Sequence, residues 1–294
     1  MRRVQPARGA LIVTLVCSAL FAACASGPGE VEVPDLSVAS FNIHYLSLRN
    51  DVLPWDERSA AVAAALTELD SDIIAFQEME TFGGGHVSRR NIQLAFVLDA
   101  FPEYRAAAVG DPERYPSTQP VLYRPTVVEP VEQGFFFFSP TPDVIYSRPW
   151  NGRFPAFASW VEFVHLESGS RFHLFNVHFD ASTARDRPLS ADLTIERVDG
   201  IAGSGPVIVA GDFNAPLIFP TMRRFTAAGF RHSAIRGSTF HFNRGLHLIP
   251  AIDHILVRGP VANGSGTMIR KRYGGVFPSD HYPVATTVQF AGRD

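Results

Sequence analysis

The chain of 294 residues contains only two cysteines, Cys17 and Cys24, and both lie near the N-terminus. A disulfide framework needs several cysteines at suitable spacings, and so does a cysteine-ligated zinc site. Both are therefore excluded for the body of the protein. Its stability must come from packing, for which a chain of this length is sufficient.

The chain also has no excess of positive charge. It carries 26 Lys and Arg against 29 Asp and Glu, which gives a formal net charge of −3. A protein that binds nucleic acid tightly and without sequence preference usually has a basic surface. The charge disfavours that class, but it does not exclude a nucleic-acid substrate, because a local basic patch can hold one.

The sequence contains no Gly-x-Ser-x-Gly segment, which marks the nucleophile of many serine hydrolases. The nearest segment is Gly203-Ser204-Gly205, and it precedes a strand instead of following one. A Ser/His/Asp hydrolase is therefore disfavoured.

The first residues have the composition of an export leader. Arg2, Arg3 and Arg8 precede an apolar run over 9–23, which is too short to be a permanent membrane span. The segment Phe-Ala-Ala-Cys that ends at Cys24 resembles a bacterial lipobox, in which the cysteine is lipidated. We predict a lipoprotein signal peptide over 1–23 and a tether over 24–34. The predicted location is the bacterial cell envelope, anchored to the outer membrane, and the alternative is a secreted or periplasmic protein.

Six short apolar, strand-like runs each end in, or lead directly into, polar residues. Such residues are costly beside a core unless they are paired or bind a metal. Hard oxygen ligands and histidines at so many strand ends are what a divalent-metal phosphoester-cleaving site requires. The residues are Asn42, Glu78, His178, Asp212, Asn214, Asp253, Asp280 and His281.

Helical and strand patterns alternate over 35–294, which we predict to be one domain. Asp56 is a candidate N-cap for a helix over 57–69, and a helix over 189–202 follows Pro188. The all-apolar run over 206–211 predicts a central strand covered on both faces. This order predicts an α/β fold with two packed β-sheets flanked by helices.

The motifs Asn-Ile-His, Phe-Gln-Glu, Asn-Val-His-Phe-Asp, Gly-Asp-Phe-Asn, Ile-Asp-His and Ser-Asp-His occur in this order. Together they resemble the endonuclease/exonuclease/phosphatase superfamily, whose members include deoxyribonucleases, AP endonucleases and sphingomyelinases. The resemblance implies a four-layer α/β sandwich with two mixed sheets. It also implies hydrolysis of a phosphoester with Mg²⁺ or Mn²⁺ as cofactor.

The resemblance implies a role for each motif residue. Asn42 and Glu78 are expected to bind the metal, and Asp280 to complete or shape that site. His178 is expected to stabilise the transition state at phosphorus, and Asn214 to bind phosphate or to position the catalytic aspartate. Asn176 is expected to support His178.

Asp212 is expected to orient or deprotonate the attacking water. Asp253 and His281 are expected to form a carboxylate–imidazole pair, in which the histidine either contacts the phosphate or activates the water. Three further residues are candidates for substrate contact: Tyr123, Arg153 and His241.

The sequence therefore predicts an envelope-anchored, magnesium-dependent phosphoric ester hydrolase that is monomeric. Its substrate is a nucleic acid, a phospholipid head group or a small phosphate ester. The alternative is a catalytically inactive binding or scaffold lipoprotein on the same fold. The aromatic run over 135–138 is expected to fill a buried strand, and the competing interpretation is an exposed hairpin that inserts into a membrane.

Overall fold

A computed structural model describes Met1 and residues 35–46, 53–79, 82–83, 86–87 and 91–290. The predicted leader, the tether and the lipidation site at Cys24 lie outside these residues. The four helices of the described part are α1 (Trp55–Leu69), α2 (Ile92–Ala100), α3 (Asp186–Ala202) and α4 (Pro220–Ala227). Among the described residues, no helix has the length and apolar character needed to cross a bilayer.

The same residues form fifteen strands. They are β1 (Leu36–Asn42), β2 (Ile73–Gln77), β3 (Phe82–Gly83), β4 (His86–Val87), β5 (Arg105–Ala107), β6 (Val121–Tyr123), β7 (Val128–Phe137), β8 (Phe157–His165), β9 (Arg171–His178), β10 (Val207–Asp212), β11 (Arg231–His232), β12 (Asp253–Arg258), β13 (Val261–Asn263), β14 (Thr267–Met268) and β15 (Val284–Phe290).

These strands form two large mixed sheets and one small hairpin. The first sheet has the order β13-β15-β1-β2-β6-β5, with β14 also paired to β15, and the second has the order β11-β12-β10-β9-β8-β7. Each sheet has one parallel pair at its centre, β1 with β2 and β9 with β10. The small hairpin pairs β3 with β4.

Three apolar clusters separate four layers. The first lies between the two sheets and includes Val38 and Ile73 from one sheet and Leu174 and Ile208 from the other. The second packs α3 and α4 against the outer face of the second sheet. The third packs α1 and α2 against the outer face of the first sheet. The predicted four-layer α/β sandwich with two mixed sheets is confirmed.

Two predicted helix starts differ from those observed. Helix α1 begins at Trp55 with Pro54 as N-cap and no side-chain capping bond, so Asp56 lies inside the first turn and does not cap the helix. Its charge there still favours the positive helix end. Helix α3 begins at Asp186, so Pro188 lies within the first turn, where the backbone N–H groups have no helical partner and proline is tolerated.

The aromatic run over 135–138 lies within and just after β7. Phe136, Phe137 and Phe138 are buried and pack on other rings, including Phe175 and Phe179. These residues fill a buried strand, as expected, and the membrane-inserting hairpin is wrong for this segment.

Candidate active site

The register of the second sheet brings three predicted site residues side by side. Asp212 is the last residue of β10, and it lies opposite His178 in the parallel strand β9. On its other side it lies opposite Asp253, the first residue of the antiparallel strand β12. Residues far apart in the chain are therefore adjacent because of strand pairing alone.

Gly211 permits this arrangement. Its φ of 151° is a conformation that L side chains rarely adopt, and a Cβ placed there would lie 1.9 Å from the carbonyl oxygen of Val177. A larger residue would push β10 away from β9 and would separate Asp212 from His178.

Asn42 links the two sheets at the site. It ends β1, and its Nδ2 donates to Glu78 Oε1 and to Asp212 Oδ2, each at 3.1 Å. Glu78 follows β2 with a left-handed φ of 57°, which turns the chain as the strand ends. The amide thus holds two carboxylates, one from each sheet, at fixed positions.

The segment before β15 contributes Asp280 and His281. His281 Nδ1 lies 2.9 Å from Asp253 Oδ2, and its Nε2 lies 3.7 Å from Asp212 Oδ2. Burial disfavours the charged imidazole, but the charges of Asp253 and Asp212 outweigh burial, so the pKa of His281 is well above its usual value. The predicted carboxylate–imidazole pair is present, with a positive charge directed at Asp212.

Asp212 is a buried carboxylate whose pKa is higher than usual. Burial, followed by the negative charge of Asp253, raises its pKa to about 6, against the opposing charges of His281 and His178. Its Oδ1 accepts the backbone N–H of Asn214 at 2.8 Å. Its pKa is close to neutral, which suits a group that accepts a proton and later releases it.

His178 faces both carboxylates that Asn42 holds. Its Nε2 lies 3.6 Å from Glu78 Oε1 and 3.7 Å from Asp212 Oδ2.

Asn214 bonds to the backbone of the residue that follows β9. Its φ is 47° and its Nδ2 donates to the carbonyl oxygen of Phe179 at 2.8 Å. This bond fixes the turn after β10 on which Asp212 depends.

His44 lies between two acids. Its Nδ1 is 3.2 Å from Asp280 Oδ1 and 3.5 Å from Glu78 Oε2. Burial lowers its pKa, but the hydrogen bond and charge of Asp280 and the charge of Glu78 outweigh this, so the net shift is upward. Burial raises the pKa of Asp280, but the hydrogen bond of His44 and the charges of His281 and His44 outweigh burial. The net result is a pKa far below the usual range of an aspartate, so Asp280 stays ionised.

Arg58 was not among the predicted site residues. It is buried in α1, and its guanidinium donates to the carbonyl oxygens of Ile43, His44, Tyr45 and Pro278. Arg58 therefore supports the loop after β1 and the loop before Asp280. The sequence did contain a signal, because Arg58 is three and seven residues before Ala61 and Ala65 on the apolar helix face.

A buried hydrogen-bond network joins the sheets below the site. Gln77 Nε2 donates to Asn176 Oδ1 at 2.7 Å, and Asn176 Nδ2 donates to the carbonyl oxygen of Phe76 at 2.7 Å. Gln119 adds bonds to the carbonyl oxygens of Asn176 and Phe157. Asn176 precedes His178 by two residues, so this network fits the expected support of β9 at the site.

A family model describing the endonuclease/exonuclease/phosphatase family matches residues 39–281. The chain belongs to this family. The predicted resemblance is thus confirmed, and members of the family hydrolyse phosphoesters. No curated protein sequence is matched by the chain.

Solved structures agree with this membership. An endonuclease/exonuclease/phosphatase family protein from Bacteroides thetaiotaomicron has 27% identity and a TM-score of 0.75, covering 87% of this chain and 98% of that one. The mannosyl-6-phosphatase of the same organism has 27% identity and a TM-score of 0.74, covering 87% and 100%. TDP2 of D. rerio, complexed with a single-strand DNA product, shares the fold at 15% identity and a TM-score of 0.65, covering 87% and 99%.

Two groups of residues in this endonuclease/exonuclease/phosphatase domain are candidates for a divalent-cation site. Asp212, Asp253 and His281 are buried with ligand atoms within 4.8 Å of one another. The second group is the one predicted from the sequence, and it consists of Asn42, Glu78 and Asp280. In the second group, Glu78 and Asp280 face the same ring, because His44 Nδ1 lies 3.5 Å from Glu78 Oε2 and 3.2 Å from Asp280 Oδ1. Ligation by Asn42 would require its amide to turn over, since its nitrogen faces Glu78.

Of the predicted substrate residues, the structure brings Arg153 to the site. Arg153 is exposed, and it lines a cavity of about 240 Å³ together with Glu78 and His178. Its Nη1 donates to Ser182 Oγ at 3.0 Å across the cavity rim. The predicted contact with a phosphate stays a prediction, but the position agrees with it.

The other two substrate predictions are wrong in position. Tyr123 lies opposite Ile73 at the beginning of β2, whereas Glu78 follows the end of that strand, and Tyr123 packs on Phe163. His241 has no exposed surface and stacks on Tyr282, with ring centroids 4.1 Å apart. Burial lowers the pKa of His241 to about 4, so its ring is neutral at pH 7 and packs on Tyr282 and Phe277.

Proposed function

We propose that this protein hydrolyses phosphoesters, with Mg²⁺ or Mn²⁺ as cofactor and water as the nucleophile. One observation supports this most: Asp212 Oδ2 lies within 3.7 Å of the Nε2 atoms of both His178 and His281. A carboxylate that can accept a proton is thereby flanked by two ring nitrogens that can donate to an anion. This is the arrangement that attack of water on a phosphate requires.

Asp212 activates the water. Its pKa of about 6 leaves it mostly ionised at neutral pH, so it can accept a hydrogen bond and then a proton from the attacking water. The backbone N–H of Asn214 and the side chain of Asn42 fix the two oxygens of the carboxylate. The water is held in one orientation because the carboxylate itself does not rotate.

His281 and His178 stabilise the negative charge on the phosphate. His281 carries a proton, because Asp253 bonds to its Nδ1 and raises its pKa, and its Nε2–H is therefore free to donate. We assign His281 to the phosphate and Asp212 to the water, since a protonated imidazole is no base. His178 is placed by β9 on the other side of Asp212, and its Nε2 is the second nitrogen that we assign to the phosphate.

Glu78 and Asp280 are the residues we assign to the cation, with Asn42 as the third member of the set. A divalent ion held there would supply Lewis-acid chemistry to the phosphate and to the leaving oxygen. We prefer this set to Asp212, Asp253 and His281, because His281 shares its Nδ1 proton with Asp253 and has no free lone pair to offer. The fit rests on hard oxygen donors, which Mg²⁺ and Mn²⁺ prefer.

We favour a small substrate. The cavity beside Glu78, His178 and Arg153 has a volume of about 240 Å³, which accommodates a sugar phosphate or a head group. The 27% identity to a mannosyl-6-phosphatase over nearly the whole domain points the same way. Nucleic acid is the second candidate substrate, since TDP2 shares the fold and was solved with a DNA product.

The location and assembly are proposed from the sequence. The positively charged and apolar leader that ends at Cys24 supports a lipid anchor in the cell envelope. A monomer is the expected state.

A panel assay with Mg²⁺ tests the proposed function. The substrates are p-nitrophenyl phosphate, bis-p-nitrophenyl phosphate, a hexose phosphate, sphingomyelin, RNA and plasmid DNA, each with and without excess chelator. We expect turnover of at least one substrate, abolished by chelation and restored by Mg²⁺ or Mn²⁺. Hydrolysis that continues in excess chelator would refute the metal-dependent mechanism, and no turnover of any substrate would favour the binding-protein alternative.

A further inference from the structure

The charge of the chain is distributed unevenly. Residues 213–279 contain a single acid, Asp253, against nine Lys and Arg, although the whole chain has a net charge of −3. Asp253 is buried and paired with His281, so it adds nothing to the surface. Arg224, Arg258 and Lys271 pair with acids outside this segment, and the other six bases leave it positively charged on a protein of net negative charge.

Two loops in this region lie at the end of the second sheet that carries the active site. One follows β10, which ends at Asp212, and covers 215–219. The other covers 242–250 and precedes β12, which begins at Asp253. Phe242 packs on Phe240 with ring centroids 4.3 Å apart, and Phe240 packs on His281 at 4.9 Å. The second loop thus begins directly beside the site.

The two loops expose large aliphatic side chains to solvent. Ile218 in the first loop is 74% exposed and Leu248 in the second is 70% exposed. Leu217, Leu246 and Ile249 are also exposed, and the loops together line an open cavity of about 490 Å³. We call these five residues the apolar loop surface. Contiguous exposed apolar residues at this density are typical of an interaction site.

Basic side chains surround the apolar loop surface. Arg270 lines its cavity, Arg236 is adjacent because its carbonyl oxygen accepts from Arg270, and Arg244 lies within the second loop. All three are exposed, and among the residues that the structure describes none of them forms an ion pair. The partner of this surface should therefore be both apolar and anionic.

We propose that the apolar loop surface docks on an anionic lipid bilayer. Leu and Ile side chains can enter the boundary between head groups and acyl chains, while Arg236, Arg244 and Arg270 contact the lipid phosphates. A nucleic acid is anionic too, but its bases stack on exposed aromatic rings. The most exposed side chains here, Ile218 at 74% and Leu248 at 70%, are aliphatic, whereas Phe219 and Phe242 are only 40% and 38% exposed. This inference does not depend on the proposed function, because binding to lipid can be measured without turnover.

Docking of this kind would place the active site beside the membrane. The loop over 215–219 begins one residue after Asn214, and Phe240 touches both Phe242 and His281. A phosphoester at the bilayer surface, or one released from it, would therefore meet the opening of the site.

A local fluorescence measurement on the full chain tests the proposal. Cys17 and Cys24 are replaced by Ser, Leu248→Cys carries an environment-sensitive dye, and vesicles of phosphatidylglycerol mixed with phosphatidylcholine are added. The matched control is Leu166→Cys, because Leu166 is also exposed but lies in the turn before β9, at the opposite end of the sheet from His178. The label reports this surface even if the leader itself holds the chain on the vesicle.

We expect a blue-shifted, brighter emission at position 248 and no change at 166, with the effect weakened by salt and by vesicles of phosphatidylcholine alone. Arg244→Glu should weaken vesicle binding about tenfold, whereas Arg114→Glu, an equal charge reversal elsewhere, should not. Equal changes at both labels, or equal changes on neutral vesicles, would overturn the proposal. So would a change at 248 that needs DNA, or that appears with rising protein concentration and no vesicles.

Discussion

Arg58 donates a hydrogen bond to the carbonyl oxygen of Pro278 at 2.9 Å, although the two residues are 220 positions apart in the chain. The same guanidinium donates to the carbonyl oxygens of Ile43, His44 and Tyr45. One buried side chain of α1 therefore joins the loop that carries His44 to the loop that carries Asp280. No other residue type offers five N–H groups in one plane.

Arg58→Lys should loosen the position of Asp280 relative to His44, whose ring lies beside Glu78. Lysine keeps the charge but has a single nitrogen, so some of the four carbonyl bonds are lost. We expect a loss of about 1–3 kcal/mol in the free energy of unfolding. We also expect a higher half-saturating Mg²⁺ concentration, measured as the metal dependence of turnover.

The metal dependence of turnover distinguishes a role of Arg58 in positioning the metal site from a role in folding alone. Arg171→Lys is the matched control, because Arg171 is exposed and its pairing with Glu162 is far from the site. If Arg58→Lys lowers stability but leaves the half-saturating metal concentration unchanged, Arg58 is only structural.

Glu78→Gln should weaken the metal response without unfolding the protein. The change keeps the shape of the side chain and removes the charge that we assign to the cation. Turnover should need a higher Mg²⁺ concentration, and the variant should bind less Mn²⁺ by direct titration. Glu162→Gln, on the second sheet away from the site, is the control. Identical Mn²⁺ affinity in Glu78→Gln and the wild type would remove Glu78 from the metal site.

Much of the site could be predicted because its residues follow strand patterns. The apolar runs that end at Asn42, His178 and Asp212 are β1, β9 and β10. Parallel pairing places Asn42 beside the end of β2 in the first sheet and His178 beside Asp212 in the second, and the Asn42–Asp212 hydrogen bond joins the two sheets. Asp253 starts an antiparallel strand, so it arrives beside Asp212 from the other direction. The four-layer fold is predicted by the family resemblance of these motifs.

The predictions for Tyr123 and His241 were wrong, and Arg58 was missed, because each depends on contacts that form only in the folded chain. Tyr123 ends β6, but β6 is antiparallel to β2, so its end lies away from Glu78. His241 is close in sequence to the site, but its ring packs into Tyr282 and Phe277 instead of facing a substrate. The bonds of Arg58 depend on two distant loops that meet only in the folded chain.

His254 should make the fold sensitive to acid. Its ring is buried against Phe213 and its Nε2 bonds to the carbonyl oxygen of Ala215. Burial lowers its pKa from 6.5 to about 4. Above pH 6.5 neither the folded protein nor the unfolded chain binds a proton at His254. As the pH falls from 6.5 to about 4 the unfolded chain binds it and the folded protein does not, so stability is lost in this window.

The comparison of His254→Gln with the wild type measures this effect by urea unfolding at several pH values. The wild type should lose on the order of 3 kcal/mol more than the variant between pH 7 and pH 4. His241 titrates in both proteins and cancels in the comparison. Parallel stability curves for the two proteins would show that His254 is not responsible.

Cys24→Ser should abolish membrane anchoring if the leader is that of a lipoprotein. The wild-type protein should partition into detergent and carry an acylated N-terminus at Cys24, whereas the variant should be uncleaved or unacylated. Mass spectrometry of the N-terminal peptide distinguishes these states. A wild-type protein recovered from the medium with an unmodified N-terminus would support the secreted alternative.

The most direct test of a catalytic centre at Asp212 is kcat on the best substrate for Asp212→Asn and His281→Ala, beside His254→Ala as control. Both residues act mainly in the transition state, so each variant should lose on the order of 10²–10³ in kcat. His254 faces away from the site toward Ala215, so its variant should keep most of its turnover per folded molecule. Near-wild-type kcat in both Asp212→Asn and His281→Ala would contradict the proposed phosphoester hydrolase.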